Sequence, residues 1–381
     1  MKVPFHKPYI TDDEVNAVAS VLRSGWLTMG SVTIDFERLF REYTGARNAV
    51  AVNSATSALH LALRAIDLRD GDEVIVPSLT FVATAEVVRY FNAVPVIADI
   101  EFDTHLIDAA KLEALITPRT RAIIPVHYAG QPCDMDELCA LAARHHLHII
   151  EDAAHSLPAW YGGRKIGTLG DITCFSFYAT KTLATGEGGM ITTDSDEWAA
   201  RMGSLRLHGI GRDAWNRYSE AGSWMYDVGE LGYKYNITDI ASAIGIEQLK
   251  KLEWMRDRRV EIAGRYAEAF ASMDAVIPYT VKDGRVSAWH LYPAKLNLDA
   301  LTITRDRFIG ELASRGVGAS VHFIPLYRFT YYKNMGYECG AFPQSERVFE
   351  RIISLPIYPG MNDETGYVIQ CIDDIARQFK R

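Results

Sequence analysis

The feature that most constrains the fold is a regular alternation of short β-rich runs with helical stretches between about residues 50 and 191. Runs such as "RAIIPV" and "HLHIIED" are almost continuously apolar. Continuous apolar strands are typical of a parallel sheet whose two faces are both covered by helices. Alternating β and α units therefore predict an α/β fold in which right-handed crossovers connect parallel strands.

The spacing of apolar residues predicts the individual elements of this region. The expected strands are 50–52, 73–76, 94–97, 122–126, 148–151, 173–177 and 190–192, and the expected helices are 56–66, 83–90, 109–115 and 135–145. After residue 239 the pattern changes: residues 241–271 predict one long helix, and "AWHLYPAKL" and "GVGASVHFI" predict later strands. We therefore expect a large domain at residues 1–250 and a smaller α/β domain at residues 251–381.

Composition excludes several classes of protein. The 381 residues carry a formal net charge of −8, and nucleic-acid binding needs a basic footprint, so no nucleic-acid partner is expected. The opening segment has no apolar signal region, and no run of 18 apolar residues exists, so we expect no membrane partner and a cytoplasmic location. The five cysteines form no CxxC pair, which favours free thiols in a reducing compartment.

Polar segments follow several of the predicted strands, at the sheet edge where open α/β folds bind ligands. Residues 53–57, "NSATS", come directly after a strand and open a helix. Small hydroxyl residues at a helix N-terminus can bind a phosphate through free N–H groups and the helix dipole. The alternative is ordinary N-capping by serine or threonine.

Two further segments carry ionisable groups. Asp152 ends the apolar run "HLHIIED", and burying a carboxylate there is costly unless it has a partner. Such a carboxylate could hold a protonated pyridine nitrogen. The alternative is that Asp152 caps a following helix. His155 follows, and could equally be a packed core histidine. Lys181 lies in "FSFYATKTLATGEGG", among apolar and hydroxyl residues. A lysine that is partly desolvated can form an imine, although a lone lysine near a strand end is usually solvated.

Taken alone, three other motifs do not predict a binding or catalytic site. The segment "LGYKYNITD" precedes the predicted long helix and reads as a loop that ends in an N-cap. Residues 209–214 match GxGxxA, but they follow a charged helical stretch instead of a buried strand, so no dinucleotide site is predicted. His145, His146 and His148 have no carboxylate or cysteine at ligand spacing, so no metal site is predicted.

Taken together, the order of these motifs resembles the DegT/DnrJ/EryC1/StrS family of sugar-nucleotide aminotransferases, of the fold-type I (aspartate aminotransferase-like) superfamily that uses pyridoxal 5'-phosphate (PLP). The resemblance covers almost the whole chain. It is carried by "GWLTMG", "NSATSALHLAL", "VIVPSLTFVATA", "IIPVHYAG", "IIEDAAHS", "FSFYATKTLATGEGGMITTD", "GYKYNITDI" and "SLPIYPGM". One departure concerns "GYNYRM" of the family, where this chain has Lys234 in place of Asn and Asn236 in place of Arg.

The resemblance implies a set of residues that bind PLP. Lys181 is expected to be the catalytic Schiff-base lysine and Asp152 the partner of the pyridine nitrogen. The other expected cofactor contacts are Ala55, Thr56 and Ser176 at the phosphate, Phe81 over the ring face, His155 beside the ring hydroxyl, and Lys234 at the phosphate of the neighbouring subunit.

The resemblance also implies the reaction and the partners. We expect an amino group to pass from an amino acid, glutamate, to a keto group of a nucleotide-linked sugar, a 4-keto sugar. The expected assembly is a homodimer with active sites at the subunit interface. Substrate contacts are expected from Trp26, Thr28, His322 and Tyr327. The motifs "GYKYN", "ITPRT" and "AWHLY" are most similar to the branch that makes UDP-4-amino-4-deoxy-L-arabinose.

Three alternatives stay open at this point. A PLP-dependent nucleotide-sugar dehydratase of the same fold is one, but such relatives carry His at the position of Lys181. A non-catalytic PLP-binding regulatory protein is another, although the sequence shows no helix-turn-helix and no basic tail. The third is a structural protein with a vestigial site. An imine absorbance band that borohydride removes would favour the enzyme.

Overall fold

The structure, a computed structural model, describes residues 1–210 and 225–381. Residues 211–214 of the GxGxxA segment therefore lie outside the described residues. The α-helices are α1 (Asp12–Ser24), α2 (Ser31–Thr44), α3 (Ala55–Ala65), α4 (Ala83–Arg89), α5 (Met135–His145), α6 (Asp196–Leu205), α7 (Asp239–Lys250), α8 (Leu252–Phe270), α9 (Arg305–Ser314), α10 (Thr330–Lys333), α11 (Pro343–Arg351) and α12 (Asp363–Gln378). Within those ranges, none of the helices combines the length and the apolar character that crossing a bilayer requires.

The strands form one large sheet and two small ones. They are β1 (Asn48–Val52), β2 (Glu73–Pro77), β3 (Val94–Ala98), β4 (Thr120–Ile123), β5 (His148–Asp152), β6 (Trp160–Tyr161), β7 (Arg164–Lys165), β8 (Ile172–Ser176), β9 (Gly189–Thr193), β10 (Val276–Ile277), β11 (Arg285–Val286), β12 (Tyr292–Leu296) and β13 (Ile352–Leu355). The large sheet has seven strands in the order β1-β9-β8-β5-β4-β2-β3. Within the described residues of this large sheet, only the pairings of β9 with β1 and with β8 are antiparallel. The predicted α/β fold with a mostly parallel sheet is confirmed.

The apolar strands and helix α3 form the core of the large sheet region. Every residue of β2 and β9 is buried, as a sheet covered on both faces requires. Helix α3 is buried on nearly all sides, and its Leu59, Leu61 and Leu63 are all 1% exposed or less. A helix enclosed in this way has little freedom to move, so its N-terminus is held at a fixed place on the sheet edge.

A second core lies in the C-terminal part of the chain. Strands β10, β12 and β13 form an antiparallel sheet that packs with α8, α9 and α12. Val3 joins this core from the N-terminal end, and its N–H donates to the Gly316 carbonyl at 2.8 Å. The boundary between the two predicted domains, between residues 250 and 251, stays a prediction.

Three predicted elements differ from the structure. Residues 109–115 form two short 3-10 turns, Ala109–Lys111 and Glu113–Leu115, instead of one helix. The long helix predicted at 241–271 is two helices, α7 and α8, which are separated at Lys251. The segment "GVGASVHFI" is not a regular strand: within it, Ser320 pairs with Ser354 and Val317 with Val3 as isolated bridges. Strand β12 in contrast lies within the predicted "AWHLYPAKL".

A fully buried hydrogen-bonded pair, Glu151 and His127, lies directly beside the end of β5. Glu151 accepts hydrogen bonds from His127 Nε2 at 2.8 Å, Thr173 Oγ1 at 2.7 Å and the Gly170 N–H at 2.8 Å. The side chains of Glu151 and His127 are both 0% exposed. The Cys133 N–H donates to His127 Nδ1 at 3.1 Å, which leaves the proton of a neutral imidazole on Nε2 for Glu151. The pair fixes Glu151 on one face of β5 and Asp152, by alternation, on the other.

We predict that Glu151→Ala lowers the free energy of unfolding by about 3–5 kcal/mol, because it leaves three buried donors without an acceptor. The measurement is urea denaturation. The matched control is Glu113→Ala, which removes an exposed carboxylate that also bonds a histidine, His145 Nε2, at 3.1 Å. That control should stay within about 0.5 kcal/mol of wild type. Equal effects of the two substitutions would contradict the role of burial.

Candidate active site

The carboxyl ends of β1, β5 and β8 meet at one edge of the large sheet. The register pairs Val52 with Gly189, and Ser176 with Gly189, so the start of antiparallel β9 lies at the same edge. A pocket of about 310 Å³ opens there. It is lined by Ser54, Ala55, Thr56, Leu59, Thr80, Phe81, Ala83, Val126, Asp152, Ala154, His155, Ser176, Tyr178, Thr180, Lys181, Glu187, Gly188, His290, His322 and Phe323.

One wall of the pocket is the N-terminus of α3. Ser54 caps this helix, and its Oγ accepts from the Ser57 N–H at 3.1 Å. The first N–H groups of a helix have no acceptor inside it, so those of Ala55 and Thr56 are free to bind an anion. The backbone of Ser54 approaches β9 so closely that a Cβ on Gly189 would lie 2.7 Å from the Ser54 carbonyl carbon. Glycine at position 189 is what allows the helix end to reach the sheet edge.

Asp152 provides the buried negative charge of the pocket. Its side chain is buried, and the residue is 5% exposed. It accepts from Thr84 Oγ1 at 2.8 Å and from the Ala154 N–H at 3.1 Å. Burial raises the pKa of Asp152, while these two hydrogen bonds and the charge of Lys181 oppose the rise. A carboxylate in this state gains free energy from a cation, or from a protonated nitrogen, that enters the pocket.

Lys181 lines the same pocket and is half-buried. Its backbone N–H donates to the Tyr178 carbonyl at 2.8 Å, within the turn that follows β8. Burial lowers the pKa of the Lys181 amine to about 8, although the charge of Asp152 opposes this shift. A large fraction of the amine is therefore uncharged near neutral pH, which is the form that attacks a carbonyl carbon.

Neutral histidines form the opposite wall. His155 Nδ1 accepts from the Ala129 N–H at 3.3 Å, so the proton of the imidazole lies on Nε2. The His155 ring stacks on Phe323, with centroids 5.8 Å apart, and lies 4.4 Å from the His290 ring. His322 Nδ1 shares a hydrogen bond of 2.9 Å with Ser354 Oγ. Burial, and next the charge of Lys181, hold the pKa of His155 and His290 well below the usual range and lower that of His322 to about 4.

The structure brings eight of the predicted residues into this pocket. These residues are Ala55, Thr56, Phe81, Asp152, His155, Ser176, Lys181 and His322. The other four do not line it. Lys234 is exposed, and its carbonyl accepts from Asn53 Nδ2 at 3.4 Å, next to the phosphate wall. Trp26 and Thr28 lie on an exposed loop before α2, and Tyr327 is buried against Phe342 at a centroid distance of 4.5 Å. Their roles in binding stay predictions.

The sequence does not reveal several residues of the site or of its immediate support. Thr84 bonds Asp152 from helix α4, and no sequence pattern marks it. His290 and Phe323 lie in "AWHLY" and "GVGASVHFI", two segments that predict strands and give these two residues no role of their own. His290 reaches the pocket because the backbone at residues 288–289 packs against Gly130, whose φ is 103° and where a Cβ would lie 2.8 Å from the Trp289 N. The motif "AWHLY", which contains His290 and contributes to the family resemblance, is the sequence feature that could have indicated this residue.

The residues present fit PLP. The helix N-terminus with Ala55, Thr56 and Ser176 suits a phosphate, and the buried Asp152 suits a protonated ring nitrogen. The amine of Lys181 suits an aldehyde. No other cation among the described pocket residues competes with the ring nitrogen for Asp152, apart from Lys181 itself.

Comparisons with known proteins agree on one family. The model of the DegT/DnrJ/EryC1/StrS aminotransferase family matches residues 8–373. The chain is 53% identical to the uncharacterized protein MJ1066 of Methanocaldococcus jannaschii, over 95% of this chain and 94% of that protein. It is 47% identical to the spore coat polysaccharide biosynthesis protein SpsC of Bacillus subtilis, over 98% and 97% of the two chains. Among solved structures, the PLP form of the putative sugar aminotransferase Spr1654 from Streptococcus pneumoniae matches with a TM-score of 0.93 and 35% identity, over 99% of both chains.

The low pKa of Lys181 can be measured in protein without a bound ligand. We predict that acetylation of Lys181 by acetic anhydride, followed by peptide mass spectrometry, rises with pH around a midpoint near 8, because the neutral amine is the reactive form. Asp152→Asn should shift the midpoint to lower pH, since the carboxylate is the group that raises the pKa of Lys181. A midpoint that moves to higher pH in this variant would contradict the arrangement of charges.

Proposed function

The chain belongs to the DegT/DnrJ/EryC1/StrS aminotransferase family, and on that premise we propose that it transfers an amino group from glutamate to the keto group of a nucleotide-linked 4-keto sugar. It is a PLP-dependent aminotransferase. The observation that carries the proposal is the presence of a half-buried amine, Lys181, and a buried carboxylate, Asp152, in one pocket that ends in a helix N-terminus. Lys181 also argues against the dehydratase, which has histidine at this position.

The names of the relatives support a sugar as the acceptor. SpsC acts in polysaccharide biosynthesis, and Spr1654 is named as a sugar aminotransferase. The nucleotide, the 4-keto position and the glutamate donor rest on the resemblance of the motifs. The narrower assignment to the branch that makes UDP-4-amino-4-deoxy-L-arabinose stays a prediction.

The residues of the chain divide the chemistry between them. When bound, PLP supplies an aldehyde and a ring that can accept electron density. Asp152 holds a proton on the ring nitrogen, because its buried carboxylate is stabilised by a positive partner. Lys181 Nζ, with its pKa near 8, can take up and return a proton close to neutral pH. The N–H groups at the start of α3 hold the phosphate and so fix the position of the cofactor.

We also propose a homodimer in which a second subunit completes the site. Phe81 and Tyr178 line the pocket and are 58% and 47% exposed, and Trp26 on the loop before α2 is 39% exposed. Exposed aromatic groups around a polar pocket are typical of an interface. In this arrangement His322 and Tyr327 of one subunit and the loop with Trp26 and Thr28 would surround the sugar and the nucleotide. A cytoplasmic location is proposed because all five cysteines are free.

Peptide mapping tests the covalent link to PLP. After borohydride reduction of the holoenzyme, we expect the pyridoxyl group on Lys181. Lys295 is the internal control, because burial lowers its pKa to about 8 as well, but its Nζ donates to the Phe102 carbonyl at 2.7 Å, away from the pocket. A pyridoxyl group on Lys295 or another lysine would refute the assignment. Lys181→Ala should keep part of the affinity for PLP and lose all turnover.

Asp152→Asn tests the electron-withdrawing role of the ring nitrogen. The amide keeps the shape of the side chain but not the charge that stabilises the ring proton. We expect the rate of conversion by glutamate to fall by a factor on the order of 100 or more, which is about 2.7 kcal/mol of barrier. The control is Asp134→Asn, which removes an acid that is ion-paired to Lys282 outside the pocket and should leave the rate nearly unchanged. Near-normal rates for Asp152→Asn would show that Asp152 only caps the local backbone and does not act on the ring nitrogen.

Lys234 is the proposed phosphate contact from the neighbouring subunit. The side chain is exposed in one subunit, yet its backbone lies beside Asn53 at the phosphate wall. We expect Lys234→Ala to weaken PLP retention and to increase its salt sensitivity, because one phosphate charge loses its counter-charge. The measurement is the loss of PLP on dialysis at rising salt. Lys250→Ala, which removes an exposed lysine paired with Glu247, is the control.

Subunit mixing decides whether Lys234 acts across the interface. Lys181→Ala and Lys234→Ala subunits are mixed, and exchange is confirmed by mass spectrometry. If Lys234 acts in trans, each mixed dimer has one site with both defects and one intact site, so activity partly recovers. If the subunits exchange but activity does not recover, Lys234 either serves the site of its own subunit or points to solvent.

A further inference from the structure

Two cavities share a wall beside Lys181. The active-site pocket of about 310 Å³ is separated from a cavity of about 20 Å³ by Thr180, His290 and His322, which line both. The smaller cavity is also lined by Phe5 and His6 from the N-terminal segment, and by Leu291 and Ile357. His290 therefore borders both cavities.

Two buried nitrogens at this wall have no partner. His290 Nδ1 and His6 Nε2 make no hydrogen bond to any residue in the ranges 1–210 and 225–381. Burial lowers the pKa of His6 to about 4, and a hydrogen bond with the backbone of Ala179 opposes this shift, so the ring is the donor there. A neutral imidazole has one donor and one acceptor nitrogen, and Nε2 of His6 is thus an acceptor. Buried polar atoms almost always have a partner, so both nitrogens need one that comes from elsewhere.

The small cavity has the size and the lining for one water molecule. A bound water needs a cavity of about 10–15 Å³ or more and two to four polar partners. The cavity offers about 20 Å³, and the residues around it include His6, His290 and the hydroxyl-bearing Thr180. A water can donate two hydrogen bonds, one to each of the unpartnered imidazole nitrogens.

A buried positive charge, that of Arg259, lies next to the backbone that precedes His290. Arg259 is 1% exposed and donates to the carbonyls of Trp289, at 3.4 Å, and Ile357, at 2.7 Å. Within residues 1–210 and 225–381, no carboxylate offsets the effect of burial on this guanidinium. Burial lowers the pKa of Arg259 to about 9, which still leaves it charged at neutral pH. Burial and the charges of Lys181 and Arg259 together keep His290 neutral.

We propose, on the basis of the proposed aminotransferase function, that one water in the small cavity donates to His6 Nε2 and His290 Nδ1, and that His290 Nε2–H consequently binds the α-carboxylate of the amino donor. The α-carboxylate is attached to the carbon that carries the amine, so it must lie beside Lys181 when the amine reacts. Lys181 and the buried Arg259 make this wall electropositive, which favours an anion there. His290 is thus a substrate-binding residue, and His6 positions it.

The test is the binding of glutarate, which has the carbon skeleton and both carboxylates of glutamate but no amine, to the holoenzyme by titration calorimetry. His290→Gln places an amide N–H close to the position of Nε2–H, whereas His290→Asn places its amide close to Nδ1. We expect His290→Asn to weaken binding by about 10-fold to 100-fold, the range for one lost hydrogen bond to a charged group. His290→Gln should stay within about threefold of wild type. Wild-type affinity in the Asn variant, or equal losses in both variants, would overturn the proposal.

Wild-type protein provides a second test that does not depend on the folding of a variant. A high-resolution crystal structure should show a water about 3 Å from both His6 Nε2 and His290 Nδ1. An empty cavity would overturn the bridge. His6→Phe keeps a ring but removes the acceptor, so it should weaken glutarate binding by about 2-fold to 10-fold and leave the PLP absorbance band unchanged.

The proposed function is tested separately, by conversion of the PLP band of the wild type with glutamate. No conversion, together with normal glutarate binding, would count against transamination from glutamate and leave the carboxylate site standing. Conversion of the PLP band by glutamate without measurable glutarate binding would refute the role of His290 but not the proposed aminotransferase function.

Discussion

The arrangement of the site depends on the cost of burying the carboxylate of Asp152 at the end of β5. A carboxylate that leaves water without a partner loses several kcal/mol, and here two hydrogen bonds, from Thr84 and Ala154, offset only part of this loss. The amine of Lys181 pays a similar desolvation penalty in the same pocket, which is why its pKa falls while that of Asp152 rises. Each group stabilises the charged form of the other, but neither is fully paired, and both are ready to interact with a ligand.

The fold and the centre of the site could be predicted because their signals are local. Apolar runs that alternate with helical stretches indicate the strands, and the ends of parallel strands must meet at one edge. This brings the segment that starts at Asn53, Asp152 and the segment that leads to Lys181 together without any knowledge of side-chain packing. The errors in secondary structure lie in segments where local pattern does not decide, such as the break between α7 and α8 at Lys251.

The rest of the site depends on long-range packing. Thr84 is in the site because helix α4, which packs on α3, β2 and β3, brings its hydroxyl within hydrogen-bond distance of Asp152. His290 is there because Gly130 lets the 288–289 backbone approach. Tyr327 is likewise placed by long-range packing, in its case against Phe342. For Lys234 and Trp26 the deciding contacts would be with a second subunit, about which a single sequence gives no geometric information.

The charges in the described part of the pocket also explain why its ligands should stabilise the protein. Lys181 faces Asp152, but the N-terminus of α3 adds a partial positive charge, and Arg259 adds a full one behind His290. Burial keeps the histidines of the wall neutral, so they can donate hydrogen bonds without adding to this positive potential. A phosphate at the helix and a carboxylate at the histidine wall each supply negative charge where the protein lacks it. Anions that bind the folded state but not the unfolded chain must raise the free energy of unfolding, so the folding and the loading of this site are linked.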